Sequence, residues 1–153
     1  MHSSVTIADN FLEKAAAKGR LLTPMQLLKL VYIAHGWMLG LHGRPLISDN
    51  VEAWQYGPVI PKLYNVIRHF KSDPVTGPLK AAGLALDEVE TDIIDQTFDI
   101  YGGKTGPALS RLTHMPGGPW AAVYERGSFG TNIPNDIIED HYRQLAAKAE
   151  SLA

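Results

Sequence analysis

Residues 23–37 read TPMQLLKLVYIAHGW, and this stretch decides the fold. Thr23 is a helix cap, Pro24 takes the first helical position, where a missing N–H costs nothing, and Gln26 completes a capping box. The apolar pattern that follows covers more than half of the helical circumference, as in helices that are buried. We therefore predict a central buried helix that ends at Gly43.

Two glycines and two histidines on this helix suggest how it packs. Gly36 and Gly40 lie one turn apart and would let another element approach the helix backbone closely. His35 and His42 lie two turns apart, ~10 Å, which is too far for one metal ion between them. His35 also points into the apolar arc, so we interpret it as a core histidine with its hydrogen bonds satisfied.

Helix start and stop signals occur along the rest of the chain. They predict a first helix capped by Thr6 and closed by Gly19, and further helices that begin at Gly57-Pro58, Glu88, Pro107, Pro119, and Pro134 or Asn135. Residues 51–56 alternate enough for a short strand or extended segment, and residues 71–83 form a loop. The prediction is a mainly α protein, a single compact domain over residues 1–153. It has about seven helices around the central one and at most a short β-hairpin.

Composition restricts the class of protein. The chain has 153 residues, 45% of them hydrophobic, and no cysteine. Disulfides, thiolate metal sites and a cysteine nucleophile are therefore excluded. The start of the chain has no signal-peptide pattern, and no apolar run approaches the ~20 residues of a membrane span. We expect a cytoplasmic protein without a membrane partner. The net charge of -2 and the lack of a Lys/Arg cluster count against nucleic acid.

Catalytic patterns are weak. Residues 103–105, GKT, resemble the end of a phosphate loop, but Phe98 stands where the motif requires a glycine, so a helix stop and turn is favoured. Ser110 and His114 lack the glycine-flanked nucleophile elbow. A small hydrolase remains an alternative that would require both residues and an acid to converge in a cleft. We predict no catalytic residue, cofactor or metal, and hence no enzyme.

A dense aromatic block occupies residues 52–64, EAWQYGPVIPKLY. It holds one Trp, two Tyr and two Pro in thirteen residues. Trp and Tyr are common at binding hot spots, and prolines stiffen such a surface. The alternative is that these rings pack an internal junction beside the central helix, and composition alone favours this packing role.

These motifs together resemble a known family. Residues 29–37 follow the pattern K-L-x-Y-x-A-x-G-W, and residues 52–61 follow E-A-W-x-Y-G-P-V-x-P. Leu-Thr-His at residues 112–114 with Pro119-Trp120, and the closing Ile133-Pro134 with Tyr142, add weaker matches. Over about residues 23–142 the chain resembles the Panacea domain of SocA-like, or GepA-like phage-associated, antitoxins of bacteria and phages. Residues 71–86 match nothing in the family pattern.

The resemblance implies an antitoxin that neutralises a cognate toxin by direct protein–protein binding. An alternative role within the family is a proteolytic adaptor that delivers the bound toxin to an ATP-dependent protease. Neither role needs catalytic residues. A DNA-binding autorepressor is a further alternative, which would need a basic face. We expect the partner to be bound around the aromatic block, by Lys29, Tyr32, Trp54, Tyr56, Gly57, Pro58, Pro61 and Tyr64.

Overall fold

The computed structural model describes residues 1–79 and 85–152, the last three of them as backbone only. This part of the chain contains seven α-helices and one small sheet, which confirms the predicted mainly α fold. The helices are α1 Ser4–Ala17, α2 Pro24–His42, α3 Pro61–Ile67, α4 Glu88–Tyr101, α5 Gly106–Thr113, α6 Pro119–Val123 and α7 Asn135–Leu152. The strands are β1 Glu52–Trp54, β2 Gly57–Val59 and β3 Thr131–Asn132, and a 3-10 turn at Arg68–Phe70 follows α3.

Helix α2 is the centre of the molecule, as predicted. The Thr23 hydroxyl accepts the Gln26 N–H at 3.3 Å, and the Gln26 side chain accepts the Thr23 N–H at 2.9 Å. The helix ends at Gly43, which takes the left-handed conformation with φ of 67°. Residues on every side of it are buried, so its stability comes mainly from packing.

The two glycines of α2 provide the contact with α7. A Cβ atom at Gly40 would lie 2.7 Å from the Tyr142 Cβ and 2.8 Å from the Tyr142 carbonyl carbon. A Cβ at Gly36 would overlap the ring of Tyr142. The predicted close approach is confirmed, and α7 is the element that makes it.

His35 is fully buried with its hydrogen bonds satisfied, as predicted. The Leu46 and Ile47 N–H groups donate to its Nδ1 at 3.2 and 3.4 Å, and its Nε2–H donates to the Asn135 side-chain oxygen at 3.0 Å. This pattern assigns the neutral tautomer that carries its proton on Nε2. Burial lowers the pKa of His35 to about 4. The histidine joins α2, the segment after it and the start of α7.

The predicted start of the first helix is wrong. Ser3, and not Thr6, caps α1, and its hydroxyl accepts the Val5 N–H at 3.1 Å. The start lies earlier because His2 is held in a short parallel bridge beside Ile47, which fixes the chain just before Ser3. Thr6 is buried inside the first turn.

The helix predicted from Gly57-Pro58 is also wrong at its start. These residues belong to β2, and α3 begins at Pro61. The sheet order is β2-β1-β3, so β2 is an edge strand, where the missing N–H of Pro58 is tolerated. Gly57 has φ of 117°, a conformation that favours glycine. The third strand extends the expected hairpin to three strands.

The later boundaries follow the prediction closely. Helix α4 starts with a capping box between Asp87 and Glu90 and ends at Gly102. Residues 71–79 form no helix or strand, and residues 80–83 of the predicted loop lie outside the described residues. Every helix of the described ranges is too short or too polar to cross a membrane.

Candidate partner-binding groove

A groove of about 790 Å³ runs between the start of α2, the β1–β2 hairpin, α3 and the segment after α6. We call it the aromatic groove. Five aromatic rings, three cations and small or apolar residues line it: Pro24, Met25, Leu28, Lys29, Trp54, Gln55, Tyr56, Val59, Tyr64, Lys71, Tyr124, Arg126, Gly127, Ser128 and Phe129.

Three of the five rings of the groove are in contact, with Trp54 between the other two. The Trp54 ring contacts Tyr64 edge-on with centroids 5.1 Å apart, and it lies 5.3 Å from the Phe129 ring. Tyr56 is 70% exposed and Phe129 is 83% exposed. Large rings left in water beside one another are typical of interaction surfaces.

Lys29 lies at the bottom of the groove. Only 4% of it is exposed, and its ammonium group donates one hydrogen bond, at 2.9 Å, to the Pro58 carbonyl oxygen. Burial lowers the pKa of Lys29 to about 7. A Cβ atom at Gly57 would lie 2.8 Å from the Lys29 Nζ, so this glycine leaves the space that the amine occupies.

The ionisable lysine and arginine side chains that line the groove are all basic, and no acidic side chain of the described ranges accompanies them. Lys71 and Arg126 join Lys29 in the lining, and no Asp or Glu lines it. None of the three cations takes part in the ion pairs found within the described ranges. The groove is therefore positively charged although the whole chain has a net charge of -2.

The structure brings half of the predicted contact residues to the groove: Lys29, Trp54, Tyr56 and Tyr64. Tyr32 is only 1% exposed, and its hydroxyl has no hydrogen-bond partner among the described residues. Gly57 and Pro58 are buried in β2. Pro61 faces a separate small cleft that it shares with Lys62. Part of the aromatic block is therefore packed inside the fold, and another part lines the groove.

Sequence reasoning missed the second side of the groove, at residues 124–129, YERGSF. This segment supplies Tyr124, Arg126 and Phe129. It is held near β1 because the Trp120 indole N–H donates to the Trp54 carbonyl at 2.6 Å, while the rings of Trp120 and Tyr124 stack 4.5 Å apart. Two rings and one cation in six residues were the available signal.

The hydrolase alternative gains little from the geometry. The Ser110 hydroxyl donates to the Tyr56 carbonyl at 2.9 Å and lies 3.5 Å from the His114 Nδ1. No carboxylate contacts His114 among the contacts of the described residues, and an edge of its ring packs on Trp120 instead. Ser110 is 7% exposed, and its bond ties α5 to the hairpin. These contacts describe a packed junction rather than an activated nucleophile.

The GKT residues form a structural turn between α4 and α5. Thr105 caps α5 through the Ala108 N–H, and the Lys104 carbonyl accepts a hydrogen bond from the Gln26 side chain at 2.9 Å. The predicted helix stop and turn at residues 103–105 is confirmed. The described residues contain no group of three or more His, Asp or Glu side chains that could hold a metal ion.

Two comparisons with known proteins point to the same family. The family model described as "Antitoxin SocA-like, Panacea domain" matches residues 27–121, which include Lys29, the hairpin and α5. The chain is 29% identical over 151 residues to Antitoxin SocA of Caulobacter vibrioides (strain NA1000 / CB15N), an alignment that covers 90% of this chain and 80% of that protein. No solved structure gives a significant match. The chain belongs to the family of SocA-like antitoxins that share the Panacea domain.

Proposed function

We propose that this antitoxin neutralises a protein toxin by direct contact, with a segment of the toxin seated in the aromatic groove. The observation that carries the proposal is the pair of exposed rings, Tyr56 and Phe129, that line a groove of about 790 Å³ together with Trp54. Burying such rings releases water from a large apolar area, and aromatic anchors of this kind dominate the free energy of many interfaces.

The groove is built on supports that limit its motion. The β1–β2 hairpin is paired from Glu52–Val59 to Trp54–Gly57, and α3 starts directly after it at Pro61. The Trp120–Trp54 hydrogen bond ties residues 124–129 to the same strand. A surface held in its binding shape loses less conformational entropy when a partner arrives, which leaves more of the contact energy as affinity.

The test compares groove variants in co-expression with the toxin encoded beside this chain. Tyr56→Ala and Phe129→Ala remove exposed rings and should leave the fold intact. Each should weaken toxin binding by about tenfold or more, because loss of a hot-spot ring costs ~1–3 kcal/mol. Ile100→Ala is the matched control, since Ile100 is 63% exposed on α4 and lies outside the groove. Binding is measured by calorimetry, and neutralisation by growth of cells that express the toxin.

Two results would contradict the proposal. If the unmodified chain neither binds nor neutralises that toxin, direct neutralisation of it is wrong. If both ring variants bind as tightly as the unmodified chain, contact occurs elsewhere. The half-life of the toxin separates direct masking from delivery to a protease: masking leaves it unchanged or longer, and delivery shortens it.

A further inference from the structure

The ammonium group of Lys29 lacks a counter-charge in the described part of the chain. A lysine ammonium has three donor hydrogens, and Lys29 uses one of them, on the Pro58 carbonyl. Buried charges in proteins are usually paired, because the loss of hydration is otherwise uncompensated. Glu52 lies outside the groove lining, and its carboxylate accepts the Trp54 indole N–H at 3.0 Å. Lys29 itself lines the groove, so an anion that enters the groove comes next to this residue.

The other two cations of the groove add to the same field. Lys71 and Arg126 lie at its exposed margin, and like Lys29 they have no carboxylate partner in the groove lining. The positive potential of Lys71 and Arg126 attracts an anion into the groove, and an anion there favours the protonated form of Lys29. The rings of Trp54, Tyr56 and Phe129 take up the apolar part of the same space.

From this arrangement we propose that the toxin segment in the groove carries an Asp or Glu side chain that binds Lys29, next to an apolar side chain that packs against the rings. The inference rests on the proposed function and names the chemistry of the partner at that site. Burial favours the neutral amine of Lys29, so a carboxylate at hydrogen-bond distance would restore its charged form and form a strong, charge-assisted bond.

The first experiment measures toxin affinity for charge variants. Lys29→Met keeps the length and apolar stem of the side chain but removes the charge, and Arg126→Gln removes a charge at the margin. Lys62→Met is the matched control, because it makes the same change in net charge at an exposed lysine of the separate small cleft. Lys29→Met should raise the Kd by at least about tenfold while its melting temperature is not lowered. Arg126→Gln should have a smaller effect, and Lys62→Met should stay within about twofold of the unmodified chain.

The second experiment does not require the toxin. The full chain is used to select from a phage library that displays random 12-residue peptides, with the Lys29→Met variant as a parallel target. Peptides selected by the unmodified chain should be enriched in Asp or Glu within two residues of an aromatic or aliphatic residue. That enrichment should disappear with the Lys29→Met variant.

The outcomes separate this inference from the proposed function. If Tyr56→Ala weakens toxin binding but Lys29→Met does not, the groove binds the toxin and the acidic anchor is wrong. If the toxin does not bind at all, the proposed function is wrong, and the peptide selection alone decides the anchor. Peptides without acidic enrichment, or an enrichment that Lys29→Met leaves unchanged, overturn the inference.

Discussion

At the scale of single residues, Lys29 is a buried amine that costs the fold stability, and its proposed role in binding would offset that cost. Its pKa is lowered from 10.5 in the unfolded chain to about 7 in the folded one by burial. Between these values the unfolded state binds more protons, so this group makes the fold more stable as pH rises from 7 toward 10.5. We predict that Lys29→Met raises the free energy of unfolding at pH 7 by ~1–3 kcal/mol, because an unpaired buried charge is removed.

The pH dependence provides the check on that prediction. Urea unfolding of both proteins at pH 7, 8 and 9 should give a stability difference that shrinks by up to ~1.4 kcal/mol per pH unit. Groups other than Lys29 cancel in the difference. A Lys29→Met protein that is less stable at pH 7 would show that the lysine stabilises the fold, and a gap that stays constant with pH would show that folding does not shift its pKa.

His35 gives a dependence of the same sign in a lower pH range. Its pKa falls from 6.5 to about 4 on folding, so its contribution is complete above pH 6.5 and is lost as pH falls toward 4. We predict that the unmodified chain loses ~2 kcal/mol from this group between pH 7 and 5. His35→Gln can accept from Leu46 and donate to Asn135 without titrating. Its stability, measured by urea unfolding, should therefore fall less over the same pH range; an equal fall in both proteins would contradict the prediction.

At the scale of elements, the start of a helix could be predicted from the sequence where the local signal is compatible with only one structure. The capping boxes at Thr23 and Asp87 are satisfied within four residues of chain, so the starts of α2 and α4 were predictable. The start of α3 was not, because Gly57-Pro58 is compatible both with a helix start and with an edge strand. Pairing of β2 with β1, at Trp54–Gly57 and beyond, decided between them, and such pairing is a tertiary interaction.

The contact between α2 and α7 yields a prediction in which two effects of known size compete. Gly40→Ala should gain ~1 kcal/mol from helix propensity and lose ~1–3 kcal/mol from overpacking. The loss should win, because the new Cβ would meet the backbone of Tyr142 and Arg143 at 2.8–2.9 Å, and backbone cannot move aside locally.

A glycine with open space around it provides the comparison. At Gly103 the nearest side-chain atom to a new Cβ would be the Arg20 Nη1, at 3.8 Å, so Gly103→Ala should be neutral or slightly stabilising. Chemical unfolding of both variants measures the difference. A Gly40→Ala protein more stable than the unmodified chain would mean that α7 does not lie against α2 as described.

At the scale of the whole molecule, the groove brings together residues that are far apart in sequence, and a single sequence does not reveal which distant residues meet. Its lining runs from Pro24 to Phe129, and the Trp120–Trp54 hydrogen bond and the ring contact of Trp54 with Phe129 join its two sides. The aromatic block was predictable from its composition. The cations at residues 71 and 126 were not, because their proximity to Lys29 depends on how the chain folds back on itself.

Contacts between distant parts of the chain also predict the effect of removing α7. This helix contributes no residue to the groove lining. Ile138 is fully buried and Tyr142 is 6% exposed, with its ring 5.1 Å from that of Trp37. Loss of two such side chains removes ~3–6 kcal/mol of apolar burial, which is comparable to the total stability of ~5–15 kcal/mol for a protein of this size.

A chain that ends at residue 134 should therefore lose cooperative thermal unfolding, monitored by circular dichroism, and toxin binding with it. A chain that ends at residue 149 keeps both contacts and should unfold and bind like the full chain. If the shorter chain still melts cooperatively and binds the toxin, the fold does not require the packing of α7 against α2. Another part of the chain must then bury that face of α2.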